Sequence, residues 1–239
     1  MNYQKQFEYV YSKIYKEIFL EKEALRAIGR SGKKTRVFAK QGDLDGSCTI
    51  YSLMMMLIFH HKLDWEDLID GERAKDCEYV GRIQHEFLHG LNGLCTNGYK
   101  LREISDRANK CFGSKMCEAY TTEPDTPNTV SRCILQEMIK TYLDERQPVM
   151  IGYSKPSGPG HALVAVAYRK EAWNRLRLFC LDPSHALPFM YPWNTIIDLD
   201  FLTSEDDDFT DTNYWTEKKV CVNNFLVVVD LPAETGCPF

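Results

Sequence analysis

The sequence predicts an α+β fold, in which helices come first and an antiparallel sheet follows. Before residue 145, apolar residues recur mainly at helical spacing, whereas the later segments are short apolar runs that end at turn residues. Helices and strands that occupy separate parts of a chain are typical of this class. We therefore expect a single domain over residues 1–239, with a mainly helical lobe at 1–145 and a mainly antiparallel-sheet lobe at 146–239.

Helical periodicity predicts the elements of the first lobe. An amphipathic helix begins at Tyr3 within residues 3–28, and Gly29–Lys34 follows as a basic loop. A nearly continuous apolar run predicts a core helix at residues 47–60. Further helices are expected at residues 64–70, 100–112 and 129–143, with a mixed segment at 75–98.

The second lobe is predicted to contain strands at residues 147–153, 161–168, 175–181 and 219–230. The polar link Arg169–Arg175 joins the second and third of these strands, and its length suits an antiparallel hairpin. The acidic run Ser204–Asp208 is interpreted as a solvated loop.

The segment Gln41–Cys48 places an amide side chain just before a thiol at the start of the core helix. Unpaired N–H groups and the positive end of the helix dipole stabilise an anion there, so the pKa of Cys48 is expected to be low. A lone buried cysteine is more often a packing residue, so other residues must decide between the two interpretations.

A histidine and an aspartate lie at matching ends of the predicted hairpin. His161 opens one strand after a glycine- and proline-rich turn, and Asp182 closes the next strand. These two ends are neighbours in an antiparallel pair, so the carboxylate is expected to orient the imidazole. A thiolate, a histidine base and an orienting acid together make an acyl-transfer site. Gln41 and the backbone N–H of Cys48 are expected to bind the oxyanion.

These motifs resemble those of the papain-like cysteine peptidases. The resemblance is carried by Gln-Gly, by Gly-Ser-Cys opening a helix, by Gly-His opening a strand and by Asp-Pro closing the next, and it covers roughly residues 36–200. With an aspartate and not an asparagine as the third member, the pattern is most similar to that of the bacterial branch that contains bacteriocin-leader peptidases. Two features differ from papain, since Gln41 and Cys48 are seven residues apart, one more than in papain, and Thr49 replaces a tryptophan.

The resemblance implies a papain-like fold and a bacterial cysteine peptidase that acts on a protein or peptide. It implies four site residues, namely the nucleophile Cys48, the base His161, the orienting acid Asp182 and the oxyanion donor Gln41. No cofactor or metal would be required. A transferase, a deamidase and a non-catalytic binding module with the same fold remain alternatives.

A zinc site is a competing interpretation. His85–His89 matches H-E-x-x-H, in which two histidines on one helix face hold zinc and Glu86 activates water. Glu103 or Cys95 would be the third ligand, and a structural zinc site would add Cys77. A zinc peptidase would leave the cysteine, histidine and aspartate motifs without roles, so the thiol mechanism is preferred.

Asp43-Leu44-Asp45-Gly46-Ser47 is similar to the nucleophile loop of haloacid-dehalogenase-type phosphatases. That loop requires a preceding hydrophobic strand and a parallel sheet, which the later strands do not predict.

Other candidates are weaker. His185 is an alternative base, but it follows a proline turn and has no strand to fix it. Asp198 and Asp200 are alternative acids, and Trp193 is expected either to shield the histidine from water or to pack in the core.

Composition excludes several classes of function. A net charge of −5 without a basic stripe argues against nucleic-acid binding, and no apolar run predicts a membrane span or a signal peptide. Nine cysteines with scattered spacing do not suggest a disulfide framework, so we expect a reduced, cytoplasmic protein. The sequence does not predict an oligomeric state.

Overall fold

The structure, a computed structural model, describes residues 18–21, 24–41, 47–69, 79–89, 99–121, 129–155, 158–170, 176–188, 191–199, 209–213 and 216–229. The predicted helix start at Tyr3, the two aspartates of the phosphatase-like loop, Asp200 and the acidic run Ser204–Asp208 lie outside these residues. Cys77 and Cys95, the further zinc candidates, also lie outside them.

The predicted α+β class is confirmed, because helices and antiparallel sheets both occur in the described residues. The helices are α1 Cys48–Phe59, α2 Trp65–Ile69, α3 Tyr79–Gln84 with a π-helix at His85–His89, α4 Leu101–Phe112 and α5 Thr129–Asp144. The strands are β1 Phe19–Glu21, β2 Ala24–Ile28, β3 Lys34–Arg36, β4 Cys117–Thr121, β5 Val149–Lys155, β6 Gly158–Lys170, β7 Leu176–Leu181, β8 Thr195–Leu199, β9 Phe209–Asn213 and β10 Thr216–Val228. Among the described helices, none is both long and apolar enough to cross a membrane.

Within the described residues, the larger sheet has seven strands in the order β4-β10-β5-β6-β7-β8-β9, and every pair is antiparallel. The N-terminal half of β10 also pairs with β9, whereas its C-terminal half pairs with β5 and β4. Strands β5 to β10 therefore form a closed circuit of pairings, which satisfies the backbone groups that an open sheet edge would expose. The smaller sheet contains β1, β2 and β3.

Within residues 3–28, where the sequence predicts a helix that begins at Tyr3, the described residues 19–21 and 24–28 form strands β1 and β2 and not a helix. In β2, Leu25 and Ala27 are buried while Ala24, Arg26 and Ile28 are partly exposed, which is the two-residue period of a strand. Pairing with β3 decides this conformation, and β3 begins inside the predicted basic loop. Strands β4, β8 and β9 were also not predicted, since β4 pairs with a strand that is distant in sequence, and β8 and β9 are short strands that depend on their neighbours in the sheet.

The hydrophobic core lies on both faces of the larger sheet. Ala162 and Val164 of β6 face a cluster that includes α1 and α4, whereas Leu163 and Ala165 face a second cluster that includes α5. The predicted core helix at residues 47–60 is confirmed as α1, and every residue of α1 except Tyr51 is buried. A helix that is buried on nearly all sides has little freedom to move, so its first residue, Cys48, has a fixed position against β6.

Candidate functional site

The predicted nucleophile, Cys48, is the first residue of α1 and is 7% exposed. The first N–H groups of a helix have no acceptor within that helix, and their dipoles favour an anion. Burial raises the pKa of the thiol. The hydrogen bond and the charge of His161, together with the backbone N–H of Ala162 and the hydroxyl of Thr49, outweigh burial and hold the pKa below its ordinary value. The Thr49 Oγ1 atom lies 3.9 Å from Sγ and also bonds the carbonyl of Tyr99 at 3.3 Å.

His161 lies between the thiol and a buried carboxylate. Its Nε2 atom is 2.7 Å from Oδ1 of Asp182, so Nδ1 is the ring nitrogen that remains for Cys48. Burial lowers the pKa of the imidazole, but the hydrogen bonds with Asp182 and Cys48 raise it well above its ordinary value. Opposite His161 in the β5–β6 pairing, the ring of Tyr153 meets the imidazole edge-on, with the ring centroids 5.4 Å apart. Sequence reasoning did not select this tyrosine.

Asp182 follows β7 and is 1% exposed. Its Oδ1 atom accepts hydrogen bonds from His161 and from the backbone N–H of Ser184, the latter at 2.8 Å, while Oδ2 lies 3.0 Å from Nδ1 of His185. Burial raises the pKa of the carboxyl, but these hydrogen bonds outweigh it and keep the pKa far below its ordinary value. The structure therefore places Asp182 beside His161 as an ionised carboxylate, at the hairpin ends where the sequence predicted them.

Asn194 fixes the backbone around Asp182, and sequence reasoning missed it. The side chain is 2% exposed, and its Oδ1 atom accepts from the backbone N–H of Asp182 at 2.7 Å. Its Nδ2 atom donates to the carbonyls of Asp182 and His185, at 2.8 and 2.9 Å. The available signal was a polar residue directly after the aromatic Trp193 and just before a strand, which does not specify a partner.

The predicted oxyanion donor, Gln41, is joined to the same turn through its backbone. Its N–H donates to the carbonyl of Pro183 at 2.8 Å, and its side-chain oxygen is buried. Residues 42–46 lie outside the described residues. The structure therefore brings the Gln41 backbone next to the turn that carries Asp182, and the role of its side chain stays a prediction.

The structure also describes the surroundings of three weaker candidates, Asp198, Trp193 and His185. The carboxylate of Asp198 forms two hydrogen bonds with Arg177, at 2.6 and 2.7 Å, so it is already paired elsewhere. Trp193 packs in the core against Phe179, with the ring centroids 4.7 Å apart. His185 lies outside any strand, as expected, but both its backbone and its ring bond the Asp182 turn.

Two residues of the zinc motif, His85 and Glu86, lie in surroundings that do not suit a zinc site. His85 is exposed, and Glu86, which would activate water, pairs with Arg107 at 2.6 Å. Arg107 also binds the proposed third ligand, Glu103, at 3.0 Å. Over the described part of the chain, no three His, Cys, Asp or Glu residues lie together as a metal site requires, and the side chain of His89 is not described. The phosphatase interpretation fails separately, since the described strands of the larger sheet pair antiparallel.

Two other thiols of the described residues differ from Cys48. Burial raises the pKa of Cys111 to about 11 and that of Cys117 to about 12. Both thiols therefore stay protonated at neutral pH, whereas the pKa of Cys48 shifts in the opposite direction.

No protein-family model matches the chain, and no curated protein matches it either. The chemistry of the site is therefore inferred from its own residues. A thiol with a lowered pKa, an imidazole with a raised pKa and a buried carboxylate form a hydrogen-bonded series from Cys48 through His161 to Asp182. Such a series can supply a nucleophile and can transfer a proton to a leaving group.

Proposed function

We propose that the protein is a papain-like cysteine peptidase that hydrolyses peptide or isopeptide bonds. The observation that carries this proposal is the hydrogen-bonded series Cys48–His161–Asp182, in which burial alone would favour neutral groups but the partners favour a thiolate and an imidazolium. The site motifs that resemble those of papain-like peptidases, and the antiparallel sheet behind the nucleophile helix, support the same proposal.

In the first half of the reaction, the Cys48 thiolate attacks the substrate carbonyl, and a carbon–sulfur bond forms. The negative charge moves to the carbonyl oxygen, which the Cys48 N–H at the helix start and the Gln41 amide stabilise. His161 then gives its proton to the leaving amine as the carbon–nitrogen bond breaks. The products of this step are a free amine and a thioester on Cys48.

In the second half, His161 is neutral and acts as a base on a water molecule. The oxygen of that water attacks the thioester, the carbon–sulfur bond breaks, and the substrate leaves as a carboxylic acid. The proton returns to His161 and the charge to Cys48, so the ion pair is restored. Asp182 holds the imidazole in place through both halves and stabilises its charged form.

The proposal includes a cytoplasmic location. Four described cysteines, Cys48, Cys111, Cys117 and Cys180, are free thiols, which suits a reducing compartment.

Incubation with a peptide library, followed by mass spectrometry, tests the proposed activity. We expect cleaved products from the wild-type protein, none from Cys48→Ala, and a loss of about 10²–10⁴-fold in His161→Ala. Cys111→Ala is the matched control, since it removes a buried thiol that lies outside the site, and it should retain activity. Full activity of Cys48→Ala would contradict the proposal.

The same experiment separates the alternatives. A mass increase of one dalton without cleavage would indicate a deamidase, and conjugates of two peptides would indicate a transferase. A chelator should leave cleavage unchanged. If the chelator removed the activity and zinc restored it, the thiol mechanism would be rejected in favour of the motif His85–His89.

A further inference from the structure

The carboxylate of Asp182 contacts two histidines, one on each oxygen. Oδ1 faces His161, at 2.7 Å, and Oδ2 faces Nδ1 of His185, at 3.0 Å. The series that begins at Cys48 therefore continues beyond the acid to a fourth side chain. His185 is 44% exposed, whereas Asp182 is 1% exposed, so this histidine lies between the buried acid and solvent.

The backbone holds His185 in this position. Its N–H bonds the carbonyl of Asp182 at 3.3 Å, and its own carbonyl accepts from the buried amide of Asn194 at 2.9 Å. The same amide donates to the carbonyl of Asp182, so one side chain sets the spacing between acid and histidine. The contact of the imidazole with Oδ2 is therefore part of an ordered turn.

The two oxygens of the Asp182 carboxylate accept different numbers of hydrogen bonds from the described residues. Oδ1 accepts from both His161 and the N–H of Ser184. In the part of the chain that the structure describes, no donor other than His185 reaches Oδ2. A buried carboxylate oxygen without a donor is unfavourable, so loss of the His185 contact would favour rotation or protonation of the carboxyl group. Either change weakens the bond that orients His161.

We propose that His185 is a positioning residue, whose Nδ1–H holds Oδ2 of Asp182 so that Oδ1 stays directed at His161. This inference rests on the proposed function, because it assigns His185 a part in keeping the Cys48 ion pair. His185 does not contact the thiol and is not the base. It acts through Asp182, and its effect on the reaction is an effect on how firmly His161 is held.

The test compares His185→Leu with His185→Asn. Leucine removes the donor, whereas the asparagine amide places an N–H close to the position of Nδ1. Because the side chain is nearly half exposed, neither change should prevent folding. The measured quantity is the rate at which iodoacetamide alkylates Cys48 between pH 5 and 9. Trypsin cleaves after Lys40 and Lys62, and the peptide 41–62 contains a single cysteine, so the rate belongs to Cys48 alone.

We expect His185→Leu to raise the pH midpoint of Cys48 alkylation by about one unit, which is about a tenfold slower reaction at pH 6. His185→Asn should restore most of the wild-type rate, which a purely structural role of the imidazole would not predict. Equal profiles for wild type and His185→Leu would overturn the inference. So would equally slow profiles for His185→Leu and His185→Asn.

The alkylation profile of the wild-type protein tests the proposed function separately. If wild-type Cys48 titrates like an ordinary thiol, the ion pair is absent, and both the proposed function and this inference fail. If wild-type Cys48 is activated but His185→Leu leaves it unchanged, the inference alone fails.

Discussion

At the level of single residues, the site depends on two groups, and the pKa of each shifts in the direction that favours its charged form. The charged forms are a thiolate at Cys48 and an imidazolium at His161. The pKa of Cys48 lies below its ordinary value of 9.0, so the thiolate persists as the pH falls. The pKa of His161 lies above its ordinary value of 6.5, so the imidazolium persists as the pH rises. Between these two ordinary values an isolated pair would be neutral, whereas both shifts here favour the ionised pair. Burial opposes both shifts, so the partners must supply the difference.

Replacing Asp182 by Asn tests this balance. The amide keeps a polar contact with His161 but carries no charge, so the imidazolium is less stable and the thiolate gains a proton more readily. We expect alkylation of Cys48 at pH 6.5 to slow by about tenfold or more, with the pH midpoint moving upward. The measurement is the pH profile of alkylation of the peptide 41–62.

Asp198→Asn is the matched control, because it also removes a hydrogen-bonded carboxylate, from the pair with Arg177. Its Cys48 profile should equal that of the wild type. An unchanged profile in Asp182→Asn would show that the carboxylate does not stabilise the ion pair.

At the level of secondary-structure elements, the site lies where the ends of three elements meet. The N-terminus of α1 presents Cys48, the first half of β6 presents His161, and the end of β7 leads into Asp182. Asn194 connects the turn after β7 to the start of β8 through three hydrogen bonds to backbone atoms. The turn therefore has an ordered shape although it contains no regular secondary structure.

Asn194→Ala should lower the stability of the fold and also disturb the geometry of the site. It leaves a buried N–H and two carbonyls without this partner, for which we expect a loss of about 2–4 kcal/mol in the free energy of unfolding. Because the turn carries both Asp182 and His185, alkylation of Cys48 at pH 6.5 should also slow. Urea unfolding followed by circular dichroism measures the stability, and peptide-resolved alkylation measures the site.

Asn109 offers a close control for that variant. Its side chain also makes three hydrogen bonds to backbone atoms, with Met116 and Cys117, at the start of β4. Asn109→Ala should lower the free energy of unfolding to a similar extent but leave the alkylation rate of Cys48 unchanged. If both variants slowed alkylation equally, the effect of Asn194 would reflect general stability and not the site.

At the level of the whole molecule, one hydrophobic cluster connects α1, α4, β2 and one face of the larger sheet. Cys48 and His161 belong to different parts of the sequence, but the elements that carry them pack against this common core. We therefore expect the site and the sheet to unfold in one cooperative transition.

Two cysteines in one assay test that expectation. Cys180 is fully buried in β7, so its alkylation reports opening of the sheet, whereas rapid alkylation of Cys48 at pH 6.5 reports an intact site. Trypsin separates them into the peptides 178–218 and 41–62, each with a single cysteine. As urea increases, loss of the Cys48 activation and exposure of Cys180 should have the same midpoint. Clearly different midpoints would mean that the site opens while the sheet stays folded.

Much of the fold was predictable where the signal is local. The apolar run of α1 and the periodic patterns of α4 and α5 identify these helices, and the strands β5, β6, β7 and β10 follow from short apolar runs between turns. Strands β1, β2 and β3 were not predicted, because a short strand depends on a partner to which it pairs across a turn. The same reason applies to β8 and β9, whose alternation is weak without the neighbouring strands.

For the candidate site, the sequence by itself determined the residue types and their local positions: a cysteine that opens an apolar helix, a histidine that opens a strand and an aspartate that ends the next. Only the tertiary structure decided what surrounds them. Asn194 on the backbone of Asp182, Tyr153 beside His161 and His185 on the second carboxylate oxygen are contacts that depend on side-chain direction. Hydrophobic periodicity specifies which face of an element is buried, but a hydrogen bond requires two atoms within about 3 Å and in line, and that geometry exists only after the chain has folded.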